Sequence, residues 1–149
     1  MKIIIKGIPL AKQSARFAKI GNYMKSYQPK KVTNWQEDAK AQLISQLPDN
    51  WIPISEPIII EELEFRFTPL KNWTKKKLTA LDEGEIIYKS TKPDVDNLIK
   101  SWDFCNGVLW VDDAQVVAIQ NLSKVYSRSP GITLRLKWIT PTNTTLKKK

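Results

Sequence analysis

The residues best suited to chemistry lie in one stretch, Lys92-Pro93-Asp94-Val95-Asp96-Asn97-Leu98-Ile99-Lys100, followed beyond Gly107 by Asp112-Asp113-Ala114-Gln115. The chain has no histidine and one cysteine, Cys105. That excludes an imidazole base, the triads built on one, a cysteine zinc cluster and an internal disulfide. Hydrolytic chemistry must then run on carboxylates, lysine, tyrosine or metal-bound water. Lone cysteines are usually small buried hydrophobes, and Cys105 is expected to be one.

Pro93 and Asp94 mark a helix start, because proline tolerates the first turn and aspartate can cap free backbone N–H groups. The helix is expected to reach about Asn106 and stop at Gly107. At about 100° per residue, Val95, Leu98, Ile99 and Trp102 gather on one side and Asp96, Lys100 and Asp103 on the other. If Asp94 turns toward Asp96 instead of capping, and Asp113 approaches from the next strand, three carboxylates converge. Such a group repels itself unless a cation holds it, and an all-oxygen site favours Mg²⁺ or Mn²⁺. A Ca²⁺-binding EF-hand fails, since Ile99 stands where glycine is needed and Cys105 where glutamate is needed. The same residues also fit a plainer arrangement, with Asp94 as a cap, Asp96 and Lys100 as an i,i+4 ion pair, and Asp112-Asp113 as a turn. Spacing alone leaves both open.

The net charge of +9 is unevenly placed. Lys2, Lys6, Lys12, Arg16, Lys19, Lys25, Lys30 and Lys31 all precede Glu37, the first acidic residue. Phe17, Tyr23, Tyr27 and Trp35 are interleaved with them, a mixture suited to phosphate contact and base stacking. The alternative is a solvated basic loop.

The supporting elements follow from periodicity and breakers. At 149 residues one domain is expected, over 1–140, with residues 141–149 as a basic tail ending in Lys147, Lys148 and Lys149. Lys2 to Lys6 reads as a strand, and the stretch after it, punctuated by Gly7, Pro9, Gly21 and Pro29, as loop. Val32, Trp35, Ala39, Leu43 and Leu47 mark a helix ending before Pro48. Ile58 to Phe67 is a strand, and Asn72 to Leu81 a short basic helix with Lys75, Lys76 and Lys77. Ile86 to Tyr88 is a brief extended piece. Val116 to Tyr126 and Ile132 to Ile139 read as two strands joined by a turn at Ser129, Pro130 and Gly131. The fold class expected is α+β, a small mixed sheet with two main helices on one face. The first apolar run, Ile3 to Ile5, is too short for a signal peptide, and no run is long enough to span a bilayer. A soluble, cytoplasmic protein is expected, with no membrane partner.

The central segment resembles the RusA family of Holliday-junction resolvases, whose motif is a basic residue, Asp-x-Asp-Asn, a lysine four residues after the second aspartate, and later Asp-Asp-x-Gln. Gly7-Ile8-Pro9-Leu10-Ala11-Lys12-Gln13-Ser14-Ala15-Arg16-Phe17 also looks like the family's opening, a Gly-x-Pro followed by spaced basic residues. Ser14 departs from a position that is often basic, and the Lys100 to Gly107 interval is one residue short. The resemblance implies a RusA-like fold, and a homodimeric, bacterial or phage-encoded nuclease. It would nick two strands of a four-way junction symmetrically with Mg²⁺ or Mn²⁺, leaving 5′-phosphate and 3′-hydroxyl ends, in DNA recombination and repair. By motif position Asp94, Asp96 and Asp113 are the metal-binding acids and Lys100 the catalytic lysine, with Asp112 a lesser ligand or supporting acceptor. Lys12, Arg16, Lys19, Lys25, Lys30, Lys31, Lys75, Lys76 and Lys92 are the expected DNA contacts. The rival readings are a broader branched-DNA or flap nuclease and a noncatalytic junction-binding protein.

Overall fold

The structure is a computed structural model and describes residues 1–12, 16–27 and 29–140. Its centre is β4 (Ile58–Phe67), which buries Ile58 and Ile60 and then Leu63, Phe65 and Phe67. Side chains alternate across a strand, so burial can pass from even to odd positions only through an extra residue. The register does shift there, between Ile60 and Glu62. The bulge is therefore written in the apolar pattern.

The sheet runs β1 (Lys2–Lys6), β7 (Gly131–Trp138), β4 and β5 (Val116–Ile119), with β6 (Leu122–Tyr126) also on β4. β7 pairs antiparallel with β1 and β4, whereas β5 and β6 run parallel to β4. One expectation is corrected here. The single strand expected from Val116 to Tyr126 is broken at Gln120 and Asn121, opposite the β4 bulge. Gln120 N–H donates to Ile60 O at 2.8 Å and Leu63 N–H to Asn121 O at 2.8 Å, so the break matches the partner's irregularity. The last two strands, joined through Ser129, Pro130 and Gly131, flank β4 instead of pairing with each other, and the connection wraps its end, with Ser127 N–H donating to Phe67 O at 2.8 Å. At Gly131 a Cβ would lie 2.3 Å from Ile5 O, so only glycine admits β1 this closely.

Helix α1 (Lys30–Gln46) buries Val32, Ala39 and Leu43. Gln42 and Gln46 also close the open edge of β1. Gln46 accepts from Ile4 N–H at 2.9 Å and donates to Ile4 O at 2.7 Å, and Gln42 makes the same pair with Lys6 at 2.7 and 2.9 Å. One helical turn of about 5.4 Å nearly matches two strand residues at about 6.8 Å, so residues four apart on the helix reach alternate strand positions.

Helix α2 (Lys75–Asp82) is capped by Thr74, whose hydroxyl accepts from Lys77 N–H at 3.2 Å. Helix α3 (Val95–Ile99) passes directly into a 3₁₀ helix, Lys100–Cys105, so the expected single helix is α only in its first half. Gln36 on α1 donates to Ser101 O at 2.8 Å and Trp35 meets Phe104 edge-on at 5.9 Å, which docks this segment against α1. Leu98, Phe104, Cys105, Leu109 and Trp110 join the strands in one core. The outcome is the expected α+β architecture with a mixed sheet.

The stretch read as loop after β1 contains a second, two-stranded sheet, β2 (Arg16–Ile20) with β3 (Tyr23–Tyr27). Gly21 has φ +60°, the conformation a two-residue hairpin turn requires at its first position. Residues 141–149, the expected tail, lie outside the described residues. Among the described residues no helix is long and apolar enough to cross a membrane.

Candidate active site

The 92–113 segment is held from below by buried apolar side chains and from the sides by hydrogen bonds. Lys124, on β6, donates to Thr91 O at 2.9 Å and Pro93 O at 2.8 Å, fixing the turn before Asp94. Leu98 anchors α3 in the core, and Leu98 N–H bonds Asp94 O at 3.1 Å. At the far end Gln115 is a staple. Its Oε1 accepts from Asp112 N–H at 2.7 Å, and its Nε2 donates to Ile54 O at 2.7 Å and Glu56 O at 3.0 Å. Asp113 opens a 3₁₀ turn, Asp113–Gln115, and is half-buried.

Of the plainer roles open to the central charges, the turn at Asp112-Asp113 is present, whereas the cap and the ion pair are not. Asp94 stands at the α3 N-cap, yet its carboxylate makes no capping bond. Asp96 and Lys100, one turn apart, form no ion pair with each other, and neither they nor Asp94 and Asp113 bond another described side chain. Asp94, Asp96 and Lys100 are exposed. Charged side chains on an ordered segment that serve neither cap nor bridge are free to bind something else. Asp112 occupies the N-cap position of the second 3₁₀ turn and is exposed.

Beside Asp94 lies an open cavity of about 580 Å³ lined by Pro9, Leu10, Ala11, Lys92, Asp94 and Asn97, so the N-terminal segment and the α3 entrance share one wall. Asn97 is half-buried and its amide bonds no described residue. Sequence reasoning quoted Asn97 and Gln115 only as motif letters and passed over Lys124. Their spacing was visible, but the carbonyls Lys124 and Gln115 hold come from distant parts of the chain. Carboxylate and amide oxygens without thiolate or imidazole suit a hard divalent cation. Among the described residues no three acidic or cysteine side chains are grouped closely enough to hold one. The convergence of Asp94, Asp96 and Asp113 that the sequence suggested is therefore not present as such a group. Cys105 is wholly buried, and burial, followed by the nearby Asp103 charge, pushes its thiol well above the ordinary range.

The expected DNA contacts fall into groups. Lys12 forms an ion pair with Asp103, tying the N-terminal segment to the 3₁₀ helix. Lys19, Lys30, Lys31, Lys75, Lys76 and Lys92 are exposed. The side chains of Arg16 and Lys25 lie outside the described residues, although their backbone is in the hairpin. Lys30 and Lys31 open α1, which has no acidic residue in its first turn and no side-chain cap. Cations there oppose the helix dipole by a few tenths of a kcal/mol each, a cost that bound phosphate reverses.

The family model described as Endodeoxyribonuclease RusA matches residues 6–137. Over 85 residues the chain is 32% identical to the Bacillus subtilis (strain 168) protein described as "Uncharacterized protein YqaN". That similarity covers 56% of this chain and 59% of the relative, so the chain matches somewhat over half of the relative's length.

Proposed function

Because the chain belongs to the RusA endodeoxyribonuclease family, we propose that it resolves four-way DNA junctions by paired nicks, using Mg²⁺ or Mn²⁺ at Asp94, Asp96 and Asp113. The observation that carries this reading is the set of charges in the family motif, Asp94, Asp96 and Lys100, left exposed and without structural partners. When bound, a divalent ion at such a site activates water and neutralises phosphodiester oxygens.

The chain's own residues do the rest. Asp94 and Asp96 supply negative charge at a fixed spacing, with Asp113 brought from the stapled turn. Lys100 lies one turn beyond Asp96 and offers its ammonium to the charge that develops on the phosphate. Asn97 presents an amide to whatever enters the cavity beside Asp94. Asp112, one residue from Asp113, is a lesser ligand or a supporting acceptor. Lys12, Lys19, Lys30, Lys31, Lys75, Lys76 and Lys92, with Arg16 and Lys25, hold the phosphate backbone. Two equivalent scissile phosphates related by a two-fold axis are best met by two copies of one site, which is why the reading includes a homodimer. A role in recombination and repair, 5′-phosphate and 3′-hydroxyl products, and a bacterial or phage cytoplasmic setting belong to the same proposal.

The primary test is nicking of a synthetic mobile junction by purified protein with and without Mg²⁺, beside a flap and a linear duplex. Paired metal-dependent nicks near the crossover support resolution. Faster cleavage of the flap replaces it with a broader branched-DNA nuclease, and binding without cleavage of any substrate leaves a junction-binding protein.

Two weaker effects are expected. Replacing Lys30 and Lys31 with alanine should reduce the slope of log affinity against log salt by about 2, because each phosphate contact contributes about one released counterion. Titration at several salt concentrations measures it, and an unchanged slope removes the start of α1 from the interface. Lys124→Met should lower metal affinity or nicking rate by roughly 10-fold to 100-fold, the usual range for a group that orients a ligand. Mn²⁺ binding followed by electron paramagnetic resonance, beside single-turnover nicking at saturating metal, checks it. Wild-type values in both assays would show that the bonds to Thr91 O and Pro93 O do not set the position of Asp94.

A further inference from the structure

The nuclease reading explains the acids and the general basic charge, but not the β2–β3 ribbon. Its strands pair in full register, and Ile20 faces Tyr23 across the Gly21-Asn22 turn. At its tip Tyr23 is 70% exposed and Met24 59% exposed, among the more exposed large apolar residues of the chain, and here two adjacent ones sit beside a hairpin turn. Lys19 lies opposite Met24 and is also exposed. Side chains alternate across a strand, so Lys19 and Met24 share one face of the ribbon and Tyr23 occupies the other.

The charge of the surrounding sequence chooses its partner. Between Gly7 and Gln36 the sequence has no aspartate or glutamate, while Lys12, Arg16, Lys19, Lys25, Lys30 and Lys31 fall within it. A protein surface would have to be strongly acidic to dock there, whereas nucleic acid brings phosphate charge and aromatic faces together. The root of the ribbon is also set. Pro9, Leu10 and Ala11 share the cavity wall with Asp94, and Lys12 is tied to Asp103. Four residues span at most about 14 Å, so β2 starts within that distance of Lys12.

We propose that the β2–β3 ribbon is a branch-point sensor, in which Tyr23 and Met24 stack on or wedge beside bases left unpaired or poorly stacked at a DNA junction while the flanking cations hold the phosphates. The inference rests on the nuclease reading and adds the source of substrate selectivity. Aromatic stacking on a base is sequence-tolerant, and methionine is among the apolar side chains that wedge into opened base steps. Linear duplex offers the tip no exposed base face, so the contribution appears on branched DNA alone.

The test compares the full-length wild type with a Tyr23→Ala, Met24→Ala double variant by fluorescence anisotropy, on a four-way junction and on linear duplex of equal length, in EDTA so that nothing is cut. Both residues are exposed, so circular dichroism should superimpose. The variant should lose roughly tenfold in junction affinity and less than twofold on duplex, and Tyr23→Phe should retain the wild-type preference. Equal losses on both DNAs overturn the proposal, as does an unchanged junction-to-duplex ratio or a wild type that binds the two alike. Wild-type nicking with Mg²⁺ is scored separately, so a ribbon without selectivity and a protein without nuclease activity give different results.

Discussion

Asp96→Asn removes metal-dependent nicking of a four-way junction and leaves junction binding nearly unchanged. Asparagine keeps the size and planarity of the carboxylate but not its charge, and Asp96 is exposed in the first turn of α3, so packing is preserved. The acid makes no ion pair with Lys100, hence the substitution orphans no partner. What it removes is one of the charges proposed to hold the divalent ion. A catalytic ion is worth several kcal/mol of transition-state stabilisation, and each 1.4 kcal/mol is a factor of ten, so the rate should fall by roughly a thousandfold. Binding should persist because the basic groups that contact phosphate are untouched. Single-turnover nicking and anisotropy on the same preparation measure both. Cleavage at the wild-type rate would remove Asp96 from the mechanism.

Lys100→Ala should reduce the single-turnover rate by roughly 10²-fold to 10³-fold, the usual cost of losing one preorganised group facing developing charge. Its affinity should change less than twofold, because 24 lysines and arginines share the electrostatics of binding. Lys100 is exposed where α3 becomes 3₁₀ helix, and its ammonium bonds no described residue, so stability is not at stake. Fitting rate against enzyme concentration separates the two quantities. A parallel fall in both would make Lys100 a DNA contact and move the charge-stabilising role elsewhere.

Much of this architecture was legible because its signals are local. The bounds of β4 follow from a ten-residue run rich in β-branched and aromatic residues, with Glu61, Glu62 and Glu64 interspersed, and α1 from the 32, 35, 39, 43 and 47 stripe, although it begins two residues earlier, at Lys30. The central motif could be read because its charges lie within one short run. Pairing between distant segments could not. Nothing near Gln120 and Asn121 says that a bulge on β4 breaks the strand beside it, and the turn at Ser129 to Gly131 has the composition of a hairpin while spanning a strand. The β2–β3 ribbon was missed for a different reason. Gly21-Asn22 between two β-prone pentapeptides is a hairpin signal, obscured by reading glycine and lysine as marks of a loop. At the site, sequence suggested two uses for Asp94 and the geometry removed one, since its carboxylate does not cap.

The position of β4 also governs how the molecule comes to exist. Every strand that joins β4 follows it in the chain, and β1 must wait for the same late segment, since Lys2 pairs with Arg135 and Ile58 with Trp138. During synthesis β4 emerges before any strand that pairs with it, and the sheet can close only after β7 has emerged. Such distant pairing is slow to nucleate, so the nascent chain passes an interval with its stickiest segment bare.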